Sequence, residues 1–264
     1  MSRYLLSSSK ELLSSLRDKR LSFFLDFDGT LSPIAARPQD ARLSQDMKDL
    51  LKSLAVAFPA AIVSGRSLRD LESHAGLPCL AYAGNHGLEI DSPDFSMLFD
   101  AGPEIRHELS SLSRSLSELS RRFPGSILED KGLSLSLHYR LLDMALFNEF
   151  EKGFSEITSG ALESGKVYLA KSKMAFEIKA NVAWDKGRAV LWMLERPRFS
   201  GTTPIYIGDD ETDMDAYRAL GQKGISVHVG HAIEEARYHL LAQTEVKVSL
   251  EMILNSSQAE RVSR

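Results

Sequence analysis

The chain has 264 residues, 43% of them hydrophobic and 26% charged, which excludes a disordered polymer and suits one large domain or two modest ones. A net charge of −4 excludes general attraction to nucleic acid or to an anionic membrane, so any recognition of phosphate has to be local. Cys79 stands alone, which excludes an internal disulfide, and the longest apolar run, Leu54 to Val63, is too short to span a bilayer and contains Pro59. Met1 to Lys10 lacks the apolar core of a secretory signal, so a cytoplasmic protein is expected.

Tyr4 to Arg20 reads as an amphipathic helix with Leu5, Leu12, Leu13 and Leu16 on one side. Leu21 to Leu25 is a buried strand that delivers two carboxylates, Asp26 and Asp28, into a Gly29-Thr30 turn. Asp40 to Leu54 is helical again, and Ala60 to Val63 is a short strand ending in Ser64-Gly65-Arg66. A helix over Leu68 to His74 and a strand over Leu80 to Gly84 follow. Strands alternating with helices imply right-handed crossovers and a parallel sheet. The texture changes near Ala101, where Glu104 to Phe123 carries a leucine stripe at helical spacing. Leu133 to Arg140 alternates with period two, with Ser134, Ser136, His138 and Arg140 on one face. Leu142 to Ile157 is helical, and Val167 to Leu169 and Ala175 to Ile178 are strands, the latter with Glu177 on its polar side. Such alternation indicates an antiparallel sheet with one open, polar face. Parallel texture then resumes with a helix from Lys186 to Leu194, a strand from Thr203 to Ile207 and a helix from Met214 to Leu220. A strand over Gly224 to Val229 and a helix over Ala232 to Gln243 complete the series. The expected architecture is α/β: a doubly wound parallel sheet from residues 1–100 and 181–264, interrupted by a smaller α+β insertion at 101–180.

Paired acids beside a hydrophobic strand are costly unless a cation or a proton compensates them. An acidic strand-to-turn cap is the bland alternative. An EF-hand would need Glu at its twelfth position, where Arg37 stands. A sugar-nucleotide transferase motif has no other nucleotide-binding feature to support it. Taken singly, Ser64 could cap a helix, Lys186 could be a solvated first-turn lysine and Asp213 could cap the next helix. Taken together, Asp26, Asp28, Ser64, Asp209 and Asp213 at the strand ends of one sheet and Lys186 at the start of a late helix form another set. They supply oxygens for Mg²⁺, donors for phosphate oxygens and an ammonium group, the parts that phosphoryl transfer requires.

Asp26-Phe27-Asp28-Gly29-Thr30, Ser64, Lys186 and the run Gly208-Asp209-Asp210-Glu211-Thr212-Asp213 resemble the four motifs of the haloacid dehalogenase superfamily of phosphotransferases. They stand in that order, with the insertion where one cap type of the superfamily lies. Ser64-Gly65-Arg66, Asn85-His86-Gly87, Glu129-Asp130-Lys131, His138-Tyr139-Arg140 and Glu177-Ile178-Lys179 are similar to the trehalose-6-phosphate phosphatases within it. Two positions depart from that pattern: Met214 stands where Glu usually follows the last motif, and Lys179-Ala180-Asn181 lacks a frequent proline.

The resemblance implies a Rossmann-like core, a cap domain and an aspartyl-phosphate mechanism with Asp26 as nucleophile. It implies that Asp28 shuttles the proton, that Ser64 donates to the phosphoryl group, and that Lys186 offsets negative charge. It implies Mg²⁺ held by Asp26, the Asp28 main-chain carbonyl and Asp209, with Asp213 binding through water or orienting Lys186. Gly65, Arg66, Asn85, His86, Glu129, Lys131, His138, Arg140 and Glu177 are the expected substrate-binding residues, the cap ones reading a disaccharide. Cap closure is expected to exclude bulk water and to bring the sugar-reading groups to the phosphate. The expected reaction is hydrolysis of trehalose 6-phosphate. The alternatives are sucrose 6-phosphate, a glycosyl 3-phosphoglycerate, a phosphomannomutase-like reaction, or a non-catalytic sensor. The expected partner is a small sugar phosphate, with no nucleic acid, no membrane and a monomeric chain.

Overall fold

A computed structural model describes residues 1–35, 38–170 and 174–262, so Arg37 lies outside the described residues. The strands, in chain order, begin with Arg3–Tyr4 (β1), Leu21–Leu25 (β2), Ala60–Val63 (β3), Ala81–Gly84 (β4), Glu89–Asp91 (β5) and Ser96–Leu98 (β6). They continue with Ile127–Asp130 (β7), Ser134–His138 (β8), Val167–Ala170 (β9), Ala175–Ala180 (β10), Thr203–Gly208 (β11), Ile225–Val229 (β12) and Tyr238–Leu240 (β13). The α-helices are Ser9–Leu16 (α1), Gln45–Ala57 (α2), Leu68–Ala75 (α3), Gly102–Arg122 (α4), Phe147–Glu163 (α5), Lys186–Leu194 (α6), Asp213–Leu220 (α7) and Thr244–Val262 (α8). The chain divides into two compact units, one formed by Met1–Leu98 with Trp184–Arg264 and the other by Phe99–Ala183.

In the first unit the described residues form a nine-stranded sheet in the order β1-β13-β12-β11-β2-β3-β4-β5-β6. Every pairing from β1 to β4 is parallel, and β5 and β6 add an antiparallel hairpin at one edge. Side chains of a strand alternate between faces, so β2 serves two layers at once. Phe23 and Leu25 pack with Leu12 of α1, Leu51 and Leu54 of α2, Leu71 of α3 and Leu250 of α8. Phe24 packs on the opposite layer with Val190 and Met193 of α6 and Ala216 and Tyr217 of α7. A strand covered on both faces must be apolar throughout, which is why all five residues of β2 are buried. The helices begin where short polar side chains take up unpaired amides: Ser44 accepts from Met47, Ser67 from Asp70 and Asp185 from Arg188.

In the second unit the sheet order is β7-β8-β10-β9, antiparallel throughout. Leu109, Leu112, Leu116 and Leu119 of α4 and Phe150, Phe154, Thr158 and Ala161 of α5 are its buried helix residues. The Phe154 and Phe176 rings stack with centroids 4.1 Å apart. Among the described residues no helix is long and apolar enough to cross a membrane.

Several expected boundaries move. Ala232 to Gln243 is not helical; Tyr238–Leu240 is strand β13, held in parallel between β12 and β1, and the helix there is α8, starting at Thr244. The first helix runs only from Ser9, because Arg3 and Tyr4 are spent on β1. The second starts at Gln45 rather than Asp40, behind its Ser44 cap. Strands β5, β6 and β7 lie in stretches where the sequence had suggested no strand.

Candidate active site

Strands β11 and β3 flank β2 in parallel, with Ile207 opposite Leu25 and Leu25 opposite Ile62. The carboxyl ends of these three strands therefore bring Asp209, Asp26 and Ser64 to one edge of the sheet, where ligands of open α/β sheets bind. The Asp26 amide continues the ladder by donating to the Ile207 carbonyl at 2.9 Å. A tight turn follows, in which the Gly29 amide donates to Ser32 and the Leu31 amide to Phe27. Gly29 has φ +82°, and a Cβ there would stand 2.1 Å from Asp209 Oδ2. Glycine is thus required both for the turn and for the approach of Asp209. The Thr30 hydroxyl donates to Asp209 Oδ1 at 3.4 Å.

Lys186 opens α6 and is 2% exposed, so it is no solvated first-turn lysine. Its ammonium donates to Asp26 Oδ1 at 2.7 Å and to Asp213 Oδ1 at 2.6 Å. The same Asp213 oxygen accepts from the Tyr206 hydroxyl at 2.7 Å, and Asp213 Oδ2 accepts from the Asp210 amide at 2.9 Å. Burial alone would lower the Lys186 pKa, but the Asp213 and Asp26 carboxylates outweigh it and hold the ammonium well above its ordinary value. Asp26 is pushed well above the ordinary carboxylate range, first by burial; Lys186 opposes the shift, while Asp213 and Asp209 reinforce it.

Asp26, Asp209 and Asp213 each offer a carboxylate oxygen within 4.8 Å of the other two. The superfamily that the motifs resemble implies a divalent metal, and this site fits one. The donors are all oxygen, the set that hard cations prefer, and a cation here would relieve the repulsion that raises Asp26. Asp213 already has both oxygens engaged by Lys186, Tyr206 and the Asp210 amide, which marks it as a support for Lys186.

Asp28 is turned elsewhere. Its two oxygens accept from Arg66 Nε at 2.6 Å and from Arg66 Nη2 at 2.7 Å, while Arg66 Nη1 donates to Asp70 at 2.7 Å. Ser64 is buried and caps no helix; its hydroxyl accepts from the Arg66 amide at 3.2 Å. Asn85 and His86 both have left-handed backbones, at φ 50° and 58°. Their amides donate to the Arg66 and Ser64 carbonyls, and a Cβ on Gly65 would meet the His86 ring at 2.7 Å. Ser64, Gly65, Arg66, Asn85 and His86 thus form one loop cluster beside the Asp28 side chain.

In the second unit, the strand register sets Glu129 opposite Ser136 and Ser136 opposite Glu177, so the three form a row across one face of the sheet. Glu129 accepts from or pairs with His138 Nε2 at 3.1 Å and faces Lys131 Nζ at 3.6 Å, while Lys131 donates to Ser136 at 3.1 Å. Lys179 Nζ lies 3.6 Å from Glu177. This face is polar as expected but not openly solvated, since Ser134, Ser136, Glu177 and Lys179 are all buried. Arg140 lies past the end of β8 and is exposed. The period-two pattern put Ser136 and Lys179 on this face, but neither was named among the expected substrate-binding residues. Sequence reasoning also missed Tyr206 and Asp70, which nothing in the linear pattern distinguishes from a core tyrosine and a first-turn acid.

The model of the family described as trehalose-phosphatase matches residues 24–246. The probable trehalose-phosphate phosphatase D of Arabidopsis thaliana is 33% identical over 269 residues, covering 96% of this chain and 72% of that protein. The C-terminal domain of Candida albicans trehalose-6-phosphate phosphatase shares the fold, with a TM-score of 0.79 at 22% identity over 97% of this chain and 98% of that one. A haloacid dehalogenase-like hydrolase from Bacteroides thetaiotaomicron shares it at a TM-score of 0.62 and 19% identity, over 89% and 98% of the two chains. The motifs that meet at the ends of β2, β3 and β11, the inserted second unit and a family match across most of the sequence agree, and the chain belongs to the trehalose-phosphatase family of phosphoric monoester hydrolases.

Proposed function

We propose that the protein hydrolyses trehalose 6-phosphate to trehalose and phosphate, the last step of trehalose biosynthesis, with Mg²⁺ as its metal. The observation that carries the reading is the grouping of buried Asp26, Asp213 and Lys186 with half-buried Asp209 in a chain of this family. A carboxylate oxygen of Asp26 attacks phosphorus, the bond from phosphorus to the sugar oxygen breaks, and Asp28 gives its proton to that oxygen. Water then attacks the aspartyl-phosphate, Asp28 takes the water's proton, and phosphate leaves with the Asp26 carboxylate restored. Lys186 holds the Asp26 carboxylate in place and offsets its charge through both steps, and Ser64 donates to a phosphoryl oxygen. Asp26, Asp209 and the Asp28 carbonyl would hold the metal, with Asp213 behind them, and Mg²⁺ would neutralise phosphoryl charge.

Glu129, Lys131, His138, Arg140 and Glu177, joined by Ser136 and Lys179, bind sugar hydroxyls in this reading. Asn85 and His86 complete the substrate contacts. The lone Cys79 supports a reducing compartment such as the cytoplasm.

Phosphate release measured over trehalose 6-phosphate, sucrose 6-phosphate, glucose 6-phosphate and a glycosyl 3-phosphoglycerate tests the substrate. Trehalose 6-phosphate should exceed the others in kcat/KM by about a hundredfold or more, the discrimination that several buried polar contacts can supply. Equal turnover across the panel overturns the assignment. Asp26→Asn should lower turnover by about a thousandfold or more while leaving the circular dichroism spectrum unchanged.

A further inference from the structure

Arg66 is 6% exposed and held on three sides. Nη1 donates to Asp70 at 2.7 Å, Asp70 in turn lies 3.2 Å from His74 Nδ1, and the guanidinium carbon sits 5.3 Å from the centre of the Phe27 ring. The remaining edge of the guanidinium grips both oxygens of Asp28, at 2.6 and 2.7 Å, although the Asp28 side chain itself is 39% exposed. A planar fork matched to a planar carboxylate fixes its rotation as well as its position. An exposed aspartate without such a partner would sample several rotamers. Substrate binding is a poor account of Arg66, because the nitrogens that would take a phosphate are committed to two carboxylates.

We propose that Arg66 is a positioning residue for Asp28: it holds the proton shuttle in a single rotamer from which it can turn to the leaving oxygen, anchored from behind by Asp70. The inference rests on the reading that Asp28 serves as the general acid of the phosphatase. Carrying the proton it took from the hydrolytic water of the preceding turnover, Asp28 exchanges one of the two Arg66 contacts for the sugar oxygen and keeps the other as a pivot. The proton passes from Asp28 to the oxygen of the breaking P–O bond, and the Asp28 carboxylate so formed returns to the fork.

The leaving group separates this role from others. A sugar alkoxide needs the proton to depart, whereas p-nitrophenolate is stable enough to leave without it. The parameter kcat/KM reports only the steps up to departure of the leaving group, so the later hydrolysis of the phosphoenzyme does not enter it. Arg66→Met should therefore lower the ratio of kcat/KM for the preferred sugar phosphate to that for p-nitrophenyl phosphate by about tenfold or more, a fraction of the roughly hundredfold or greater contribution of a general acid that is misplaced and not removed. Arg66→Lys keeps the charge but loses the fork, so it should fall nearly as far. Asp70→Asn, which leaves Asp28 and Arg66 in place, should move the ratio the same way by a smaller factor. In an Asp28→Asn background, Arg66→Met should leave the ratio where it stands.

An equal fall for both substrates, which a phosphate-binding or purely structural arginine would give, overturns the proposal. So does full rescue by lysine, or an undiminished effect without Asp28. If the unaltered protein prefers a sugar phosphate other than trehalose 6-phosphate, the substrate assignment fails, and the ratio measured with that substrate still decides the role of Arg66.

Discussion

Lys186 is a case where one side chain holds two others against their own repulsion. Its ammonium lies between Asp26 and Asp213, buried with both. Removing one partner of a buried ion pair leaves uncompensated charge and typically costs about 3–5 kcal/mol. Lys186→Met should therefore lower stability by about that amount in metal-free buffer, by denaturant titration, and Mg²⁺ should recover part of the loss by entering the same carboxylate group. Tyr206→Phe deletes only a hydroxyl donating to the Asp213 carboxylate, and should cost less, about 1.5–3 kcal/mol. If the two variants were equally stable, the ammonium would not be the counter-charge described here. Lys186, Asp26 and Asp213 were legible in the sequence because a lysine and two acids at strand and helix ends stand out against an apolar texture. Tyr206 was not, since a tyrosine inside Thr203–Gly208 satisfies the pattern of a core strand whatever its hydroxyl does.

Strand β12 carries the element-scale counterpart of that problem. His228 pairs in register with Gly208, so the strand places an imidazole beside the end of β11. It is 4% exposed, and its Nδ1 has no hydrogen-bond partner. Burial, and then the neighbouring His231, hold its pKa below the ordinary histidine value, with Asp213 pulling the other way. A depressed folded-state pKa means that the unfolded chain takes up the proton first as pH falls. The stabilising contribution is therefore present above the unfolded value of about 6.5 and is lost as pH drops through it toward the folded one. His228→Asn should flatten the fall in denaturation midpoint between about pH 7.5 and about pH 5.5; an unchanged slope would assign the acid sensitivity to other groups. Strands β2 and β3 were readable because both faces are buried and every residue is apolar or small. Ala232 to Gln243 was misread because its apolar residues fit a helical period. The vacancy between β12 and β1, a feature of the assembled sheet, is what draws Tyr238–Leu240 into a strand.

The two units have separate grounds for stability, and a single measurement can tell them apart. The apolar clusters around β2 are drawn from residues of Met1–Leu98 and Trp184–Arg264, and the metal-fitting carboxylates belong to that same unit. The other unit rests on its own leucine stripe of α4 and on the Phe150, Phe154 and Phe176 rings. Both tryptophans of the chain, Trp184 and Trp192, lie in the first unit, so tryptophan fluorescence reports its melting alone, while far-ultraviolet circular dichroism also sees α4 and α5. A ligand that binds only the folded form stabilises it by about 2.7 kcal/mol at a hundred times its dissociation constant. Mg²⁺ should therefore raise the fluorescence midpoint and leave the helical signal of the second unit where it was. Phe154→Ala should do the reverse, because deleting a buried phenylalanine costs about 3–5 kcal/mol and the loss falls on α5 and its sheet. In that variant the dichroism transition should split, with its lower step insensitive to Mg²⁺ and its upper step still following the tryptophans. A single transition moved equally by the ion and by the substitution would mean that the units unfold as one, whatever the separateness of their cores.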